Sequence, residues 1–140
     1  MKAFIGLGSN LGDREQHLHK AIELIGEKAG RIVAVSSFYY SEPQGFVSEN
    51  YFVNAALELD TQLSAHELLK ALQEFESQLG RTSKSVGGNY SDRIIDLDIL
   101  TYENVNMDTP ELTLPHPRIN ERDFVLKPLR ELKGFSHKEN

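Results

Sequence analysis

The order of strand-like and helix-like patterns is the feature that most limits how this chain can fold. An apolar run at residues 2–8 is typical of a short strand, and an amphipathic stretch follows it. Next come two segments rich in β-branched and aromatic residues, "RIVAVSSFYY" and "YFVNAALEL", then a second amphipathic stretch and the run "RIIDLDIL". This order predicts an α+β protein with a ferredoxin-like βαββαβ core, an antiparallel sheet with two helices on one face. The Pro-rich C-terminal segment is then expected on the other face, the side left for a ligand.

Both expected helices carry an apolar stripe and recognisable end signals. The first stripe is Leu18, Ala21, Ile22 and Ile25, and the second is Leu68, Leu72, Phe75 and Leu79. Asp13 and Gln16 have the spacing of a helix N-cap and its partner, while Ser64 and Glu67 form an S-x-x-E capping box. Gly80 stands where a C-terminal cap is expected.

Length and composition exclude several classes of protein. At 140 residues the chain can bury its own core, and we expect a single domain over residues 1–140. It has no cysteine, which excludes disulfides and thiolate metal sites. The apolar run in "MKAFIGLGSN" is too short for a signal peptide, and no stretch approaches a membrane span. We therefore expect a cytoplasmic protein. The net charge of −6 disfavours a nucleic-acid binder, and we expect a monomer that acts on small molecules.

Two carboxylates interrupt the strand-like run at residues 93–100. Side chains alternate across a strand, so Asp96 and Asp98 share one face while Ile95, Leu97 and Ile99 share the other. Like charges so close repel each other in a half-buried setting unless a cation neutralises them. One interpretation is that Arg93 or another basic residue pairs with one of them. The other is a hard divalent cation such as Mg²⁺, which one or two carboxylates commonly hold.

The strand-like segment "YFVNAALEL" places two further unusual residues on one face. Alternation predicts a core face and a less apolar face: Tyr51, Val53, Ala55, Leu57 and Leu59 on the first, and Phe52, Asn54, Ala56 and Glu58 on the second. An aromatic ring and an amide two residues apart suit a flat heteroaromatic ligand, because the ring stacks while the amide reads the ligand's edge. An ordinary surface pair is the alternative.

The glycine-rich start of the chain does not match the known phosphate-binding loops. "GLGSNLGD" lacks the G-K-[ST] of a P-loop and the context of a Rossmann site, so its glycines are expected to allow a tight turn and a close main-chain approach.

In "LTLPHPRINERDFVLKPL", prolines flank His116, and Arg118 and Arg122 are four positions apart. Such a cluster suits phosphate, although a surface position on a solvated helix is the commoner explanation of any single arginine.

Taken together, five segments resemble the 6-hydroxymethyl-7,8-dihydropterin pyrophosphokinase family of folate biosynthesis. They occur in the family's order over nearly the whole chain: "GLGSNLGDR", "VSSFYYSEPQG" with "FVNAA" after it, "LLKALQEFESQLGR", "DRIIDLDIL" and "LPHPRINERDFVLKPL". The resemblance implies a ferredoxin-like enzyme that transfers the terminal diphosphate of ATP to the pterin hydroxymethyl group and releases AMP. ATP would be the co-substrate, with two Mg²⁺ ions held by Asp96 and Asp98. This would relieve the repulsion between the two carboxylates.

The same resemblance implies a set of site residues. The pterin site would comprise Gly8 through its backbone, Ser41, Pro43, Gln44, Phe52, Asn54, Asp96 and Phe124. The ATP site would comprise Glu76, Arg81, Tyr90, Arg93, Ile99, Thr113, His116 and Arg122. Phe52 and Phe124 would enclose the pterin ring, and Arg81 and Arg93 would stabilise charge in the transition state. With Asp96 and Asp98, these two arginines form the expected catalytic set.

The chain departs from the family pattern at several loop positions. Tyr90 replaces a common Trp, Ser91-Asp92 replaces Gly-Pro, and Ser83 replaces an Arg for which Lys84 is a possible substitute. Phe52 replaces the Tyr of some members. A further hypothesis is that residues 40–50 and 82–92 close over the substrates and exclude water. The alternatives weighed are a Mg²⁺-dependent phosphatase or nuclease with the same carboxylates, and a ferredoxin-like sensing module without chemistry.

Overall fold

The structure is a computed structural model of the chain that describes residues 1–41, 51–80, 94–117, 119 and 123–135. Helices are α1 (Arg14–Lys28), α2 (Ala65–Gln78) and α3 (Asp123–Glu131). Strands are β1 (Lys2–Ser9), β2 (Arg31–Val35), β3 (Tyr39–Ser41), β4 (Phe52–Asp60), β5 (Asp96–Tyr102), β6 (Met107–Asp108) and β7 (Thr113–Leu114).

The main sheet has the strand order β2-β4-β1-β5, and β3 also pairs with β4. Every pairing in it is antiparallel, although the chain reaches β2 and β5 through the helical connections α1 and α2. This is the predicted ferredoxin-like arrangement. Its central strand, β1, contacts both β4 and β5, so residues of three strands meet along one row.

The helix ends follow the local sequence signals. The Asp13 side chain accepts a hydrogen bond from the main-chain N–H of Gln16, with 3.2 Å between donor and acceptor. Ser64 and Glu67 form both bonds of the capping box, at 2.8 and 3.1 Å. Gly80 follows the last helical residues of α2 with a φ of +102°, a conformation that glycine adopts without steric cost. These predictions are confirmed.

The two faces of the sheet carry two separate apolar cores. The larger core packs α1 and α2 on the sheet through side chains such as Leu18, Leu68 and Leu72, against Ile5 and Leu57. The smaller core lies on the opposite face, where Ile119, Leu129 and Leu132 cover three sheet residues, Phe4, Ala56 and Leu100. The C-terminal segment therefore packs on the face opposite α1 and α2, as expected, and it does so as a helix.

Two details of the predicted strands are wrong. "RIVAVSSFYY" is not one strand: β2 ends at Val35 and β3 begins at Tyr39. Between them the Ser36 N–H still donates to the Ala56 carbonyl at 2.8 Å, but the Ala56 N–H donates to the Ser36 hydroxyl at 2.9 Å, so a side chain replaces one main-chain acceptor of the ladder. Tyr51 is not a core residue either, because it precedes β4 and is 52% exposed. Its carbonyl accepts a hydrogen bond from Arg14 at 2.8 Å.

Candidate active site

A row without side chains runs along the middle of the sheet face that α3 partly covers. Gly8 on β1 lies directly between Asn54 on β4 and Asp96 on β5, and Gly6 lies between Ala56 and Asp98. Directly opposed residues of neighbouring strands point to the same face. We call this feature the glycine trough: the main chain of Gly6 and Gly8 forms its floor, Asn54 one wall, and the two aspartates the other. The Leu100 side chain covers the Gly6 end, where it lies 3.2 Å from the position of a Cβ atom.

The trough leaves no space for a side chain at Gly8. A Cβ atom on Gly8 would lie 2.8 Å from Asn54 Oδ1 and 3.8 Å from a ring carbon of Phe52. The amide oxygen of Asn54 and the edge of Phe52 therefore border the main chain of Gly8. This places three of the expected pterin-binding residues together.

Asn54 is held in place by a neighbour that the sequence also predicted. Its Nδ2 donates to Ser41 Oγ at 3.2 Å, and the residue is only 6% exposed. Because β3 pairs with β4, Ser41 lies opposite Phe52 in the register. An amide whose nitrogen is committed to a fixed partner presents its oxygen in a defined direction, which suits recognition of a donor on a ligand.

The two aspartates lie on β5 as the alternation predicted. Both are half-buried on the trough side, while Leu97 and Ile99 are buried in the core beneath α1 and α2. Within the described part of the chain, no group of three or more His, Cys, Asp or Glu side chains is arranged to hold a metal. Two carboxylates on one face, beside a floor without side chains, still fit Mg²⁺, which takes few protein ligands and completes its shell with water and phosphate.

Glu76 on α2 makes a contact that sequence reasoning missed. Its Oε2 accepts a hydrogen bond from the main-chain N–H of Leu97, the residue between the two aspartates, at 2.8 Å. The carboxylate thus fixes the segment that carries the expected metal ligands. The capping box and stripe of α2 located the helix but gave no signal for this contact, because the two residues are 21 positions apart.

Three other described residues of the expected ATP site lie on β5 or next to it: Ile99, Thr113 and His116. The main-chain N–H of His116 donates to the carbonyl of Leu100 at 2.7 Å. Thr113 lies on β7, and its hydroxyl donates to Asp108 at 3.4 Å. Ile99 differs from the others because its side chain is 2% exposed and lies in the core under the helices. Only its main chain is positioned for contact with a ligand on the trough side.

The other expected site residues cannot be located on this surface. Pro43, Gln44, Arg81, Tyr90, Arg93 and Arg122 lie outside the described residues, as does Arg118. Phe124 is the second residue of α3, and its side chain is likewise not described. Nearly all of the segment 40–50 and all of 82–92, the hypothetical lids, fall outside too, so the pairing of Arg93 with an aspartate stays an open interpretation.

Comparison with known proteins assigns this chain to one enzyme family. Residues 4–134 match the family model of 7,8-dihydro-6-hydroxymethylpterin-pyrophosphokinase (HPPK). A Porphyromonas gingivalis protein named 2-amino-4-hydroxy-6-hydroxymethyldihydropteridine pyrophosphokinase is 44% identical over 137 residues, which cover 97% of this chain and 93% of the relative. The Bacillus subtilis protein of the same name is 43% identical over 138 residues, 98% of this chain and 81% of the relative.

The fold also matches a solved structure, although the sequences are distant. A crystal structure of a Plasmodium falciparum HPPK-DHPS triple mutant superposes with a TM-score of 0.67 at 16% identity. The match covers 93% of this chain and 40% of that longer one, and it supports the fold alone. Within the described residues, no helix is long and apolar enough to cross a membrane.

Proposed function

The chain belongs to the 7,8-dihydro-6-hydroxymethylpterin-pyrophosphokinase family, and on that premise we infer how its residues carry out the reaction. It is an ATP-dependent pyrophosphokinase, a transferase of folate biosynthesis. The reaction moves the terminal diphosphate of ATP to the hydroxymethyl group of 6-hydroxymethyl-7,8-dihydropterin and leaves AMP. Neither a phosphatase or nuclease nor a sensing module is supported, since the relatives are named as pyrophosphokinases.

The observation that carries the residue assignment is the juxtaposition across the glycine trough. Asn54 and Phe52 border Gly8 on one side, and Asp96 and Asp98 lie beside the glycines on the other. A pterin between these walls would have its recognition groups and the expected metal ligands within one row of the sheet. We propose that this row brings the hydroxymethyl group and the ATP phosphates together, because phosphoryl transfer depends chiefly on alignment and charge neutralisation.

The pterin site is proposed to have one part on the sheet and one part contributed from outside it. Gly8 through its main chain, Ser41, Phe52, Asn54 and Asp96 form the part on the sheet, because they lie on four hydrogen-bonded strands, β1, β3, β4 and β5. Pro43, Gln44 and Phe124 complete it from beyond β3 and from α3. Asn54 Oδ1 accepts from a ring N–H or amino group at the edge of the pterin, and Phe52 stacks on one side of the ring.

The metal site is proposed on Asp96 and Asp98. These two carboxylates would hold two Mg²⁺ ions, which would neutralise the charge that develops on the transferred diphosphate. The chain's own contribution is to hold two carboxylates on one strand face, with their main chain tied to Gly8 and Gly6 on β1. The Glu76 contact to Leu97 fixes the same segment from α2.

The ATP site is proposed along β5 and the C-terminal segment. Its residues are Glu76, Arg81, Tyr90, Arg93, Ile99, Thr113, His116 and Arg122. Arg81 and Arg93 are proposed to stabilise negative charge in the transition state, since guanidinium groups bind phosphate oxygens in bidentate fashion. Residues 1–140 are proposed to act as one domain, as a cytoplasmic monomer, with these small molecules as its partners.

A product assay tests the function directly. The purified protein is incubated with Mg²⁺, ATP and 6-hydroxymethyl-7,8-dihydropterin, and the adenine nucleotides are separated afterwards. We expect AMP in a one-to-one ratio with pterin diphosphate, and neither product without the pterin. ADP as the nucleotide product would indicate transfer of a single phosphoryl group. ATP binding without turnover would refute the enzymatic assignment.

A further inference from the structure

The last residue of α3, Glu131, accepts three hydrogen bonds from Ser37, just before β3, and Tyr39, the first residue of β3. Its Oε2 accepts from the main-chain N–H of Ser37 at 2.8 Å and from the Ser37 hydroxyl at 3.1 Å. Its Oε1 accepts from the hydroxyl of Tyr39 at 2.7 Å. One carboxylate thus joins two parts of the chain that are more than 90 positions apart.

The segment that Glu131 holds leads directly into the pterin-binding wall of the trough. Tyr39 lies opposite Asn54 in the pairing of β3 with β4, and Ser41 lies opposite Phe52. Ser41 Oγ accepts the bond from Asn54 Nδ2 at 3.2 Å. A shift of β3 relative to β4 would therefore move the partner that sets the direction of the Asn54 amide.

The helix that carries Glu131, α3, is itself packed on the sheet, on the face that carries the glycine trough. Leu129 is 0% exposed and packs with Phe4 and Ala56 on the sheet. Leu132, just beyond the helix, is buried in the same small core. Glu131 therefore connects β3 to a helix that is packed on the sheet. The same helix, which begins at Asp123, also carries Phe124, the residue proposed to cover the other side of the pterin.

We propose that Glu131 is a positioning residue for the pterin site: it fixes β3, and with it Ser41 and Asn54, relative to α3. The inference rests on the proposed function, because it assigns Glu131 to the recognition of the same pterin. Glu131 does not touch the substrate in this scheme. It acts through the strand that carries the recognition groups.

The contact lies at the protein surface, and its electrostatics favour the ionised form of Glu131. The hydrogen bond from Tyr39, followed by those from Ser37, holds the pKa of Glu131 below its ordinary value. The same bond raises the pKa of Tyr39 above its ordinary value, since a phenolate could not donate it. At neutral pH an ionised carboxylate thus faces a neutral phenol, and a bond to a charged acceptor is stronger than one between neutral groups.

Steady-state kinetics of Glu131→Ala tests the role. We expect the KM for the pterin to rise about tenfold, the equivalent of one good hydrogen bond. The kcat and the KM for ATP should stay close to the wild-type values, because the aspartates and their strand are untouched. Tyr39→Phe removes one of the three bonds and keeps the ring, so we expect a smaller rise in the same parameter. Glu27→Ala is the matched control: it removes an exposed glutamate from the last turn of α1, and should change none of these parameters.

Each outcome decides the inference. A wild-type KM for the pterin in a folded Glu131→Ala variant would overturn it, and so would equal losses in kcat and in both KM values. If Glu131→Ala does not fold, the KM for the pterin of Tyr39→Phe decides instead. A wild-type enzyme that releases no AMP would refute the proposed function itself. An active wild-type enzyme with an unchanged Glu131→Ala variant refutes only the positioning role.

Discussion

The glycine trough makes Gly8→Ala the most informative single substitution. The added methyl carbon would lie 2.8 Å from Asn54 Oδ1, whereas relaxed contacts lie at roughly 3.5 Å or more. Either the Asn54 side chain or β1 must therefore shift by about half an ångström or more. If the Asn54 side chain is the one that shifts, its bond from Nδ2 to Ser41 Oγ, which is already 3.2 Å long, breaks.

The magnitude follows from three contributions. Overpacking at a fixed site costs about 1–3 kcal/mol. The lost hydrogen bond costs about 1 kcal/mol, while replacing a strand glycine by alanine returns about 0.5–1 kcal/mol. The net loss of unfolding free energy is then about 1–3 kcal/mol. The effect on binding is larger, because the methyl group enters the trough and the amide is misdirected: we expect the KM for the pterin to rise roughly 10²-fold.

The assay combines denaturant unfolding with kinetics in which pterin and ATP are varied separately. Gly26→Ala is the matched control, since its methyl group would meet only the flexible tip of Ile32, at 3.2 Å, on the far side of the sheet. Alanine is favoured over glycine in a helix, so this control should gain roughly 0.5–1 kcal/mol and keep wild-type kinetics. A Gly8→Ala variant with a wild-type KM for the pterin would show that the ring does not bind over Gly8.

Three further predictions concern the metal ligand Asp98, the α2 cap residue Ser64, and Glu131 at the end of α3. Asp98→Ala should keep the fold, with unchanged or slightly higher thermal stability, and lose roughly 10²-fold or more in the rate of AMP release; near-normal turnover would remove the metal assignment. Ser64→Ala should lower the unfolding free energy by about 1 kcal/mol in denaturant melts, without changing kcat, because it removes a helix cap far from the trough. The lowered pKa of Glu131 means that its contribution to stability is complete above the ordinary glutamate value of about 4.3 and is lost as the pH falls through the lower folded value. Acid titration of the unfolding free energy should therefore be shallower in Glu131→Gln, and an unchanged slope would contradict this.

The features that the sequence predicted are those with a local physical cause. The capping box at Ser64, the N-cap at Asp13 and the apolar stripes depend on residues within a few positions of one another, and all are present. Strand alternation likewise predicts that Asp96 and Asp98 share a face, because the side-chain period of a strand is fixed. The glycines were harder to interpret: Gly12, with a φ of +67°, serves a turn, but Gly6 and Gly8 lie inside β1 as the floor of the trough.

The features that the sequence did not predict depend on elements that meet only in the folded chain. The less apolar face of β4 is largely buried: Asn54 is 6% exposed and Glu58 is 7% exposed. Alternation gives the residues of that face but not the helix that covers it, and Pro128 inside α3 hides the helical pattern, because proline is disfavoured at interior positions. The contacts from Glu76 to Leu97 and from Glu131 to Tyr39 have the same origin, since each joins a helix to a strand over a long separation. The groups expected to meet substrate could thus be inferred from residue type and spacing, whereas the residues that hold them in place could be found only from the packing of α2 and α3.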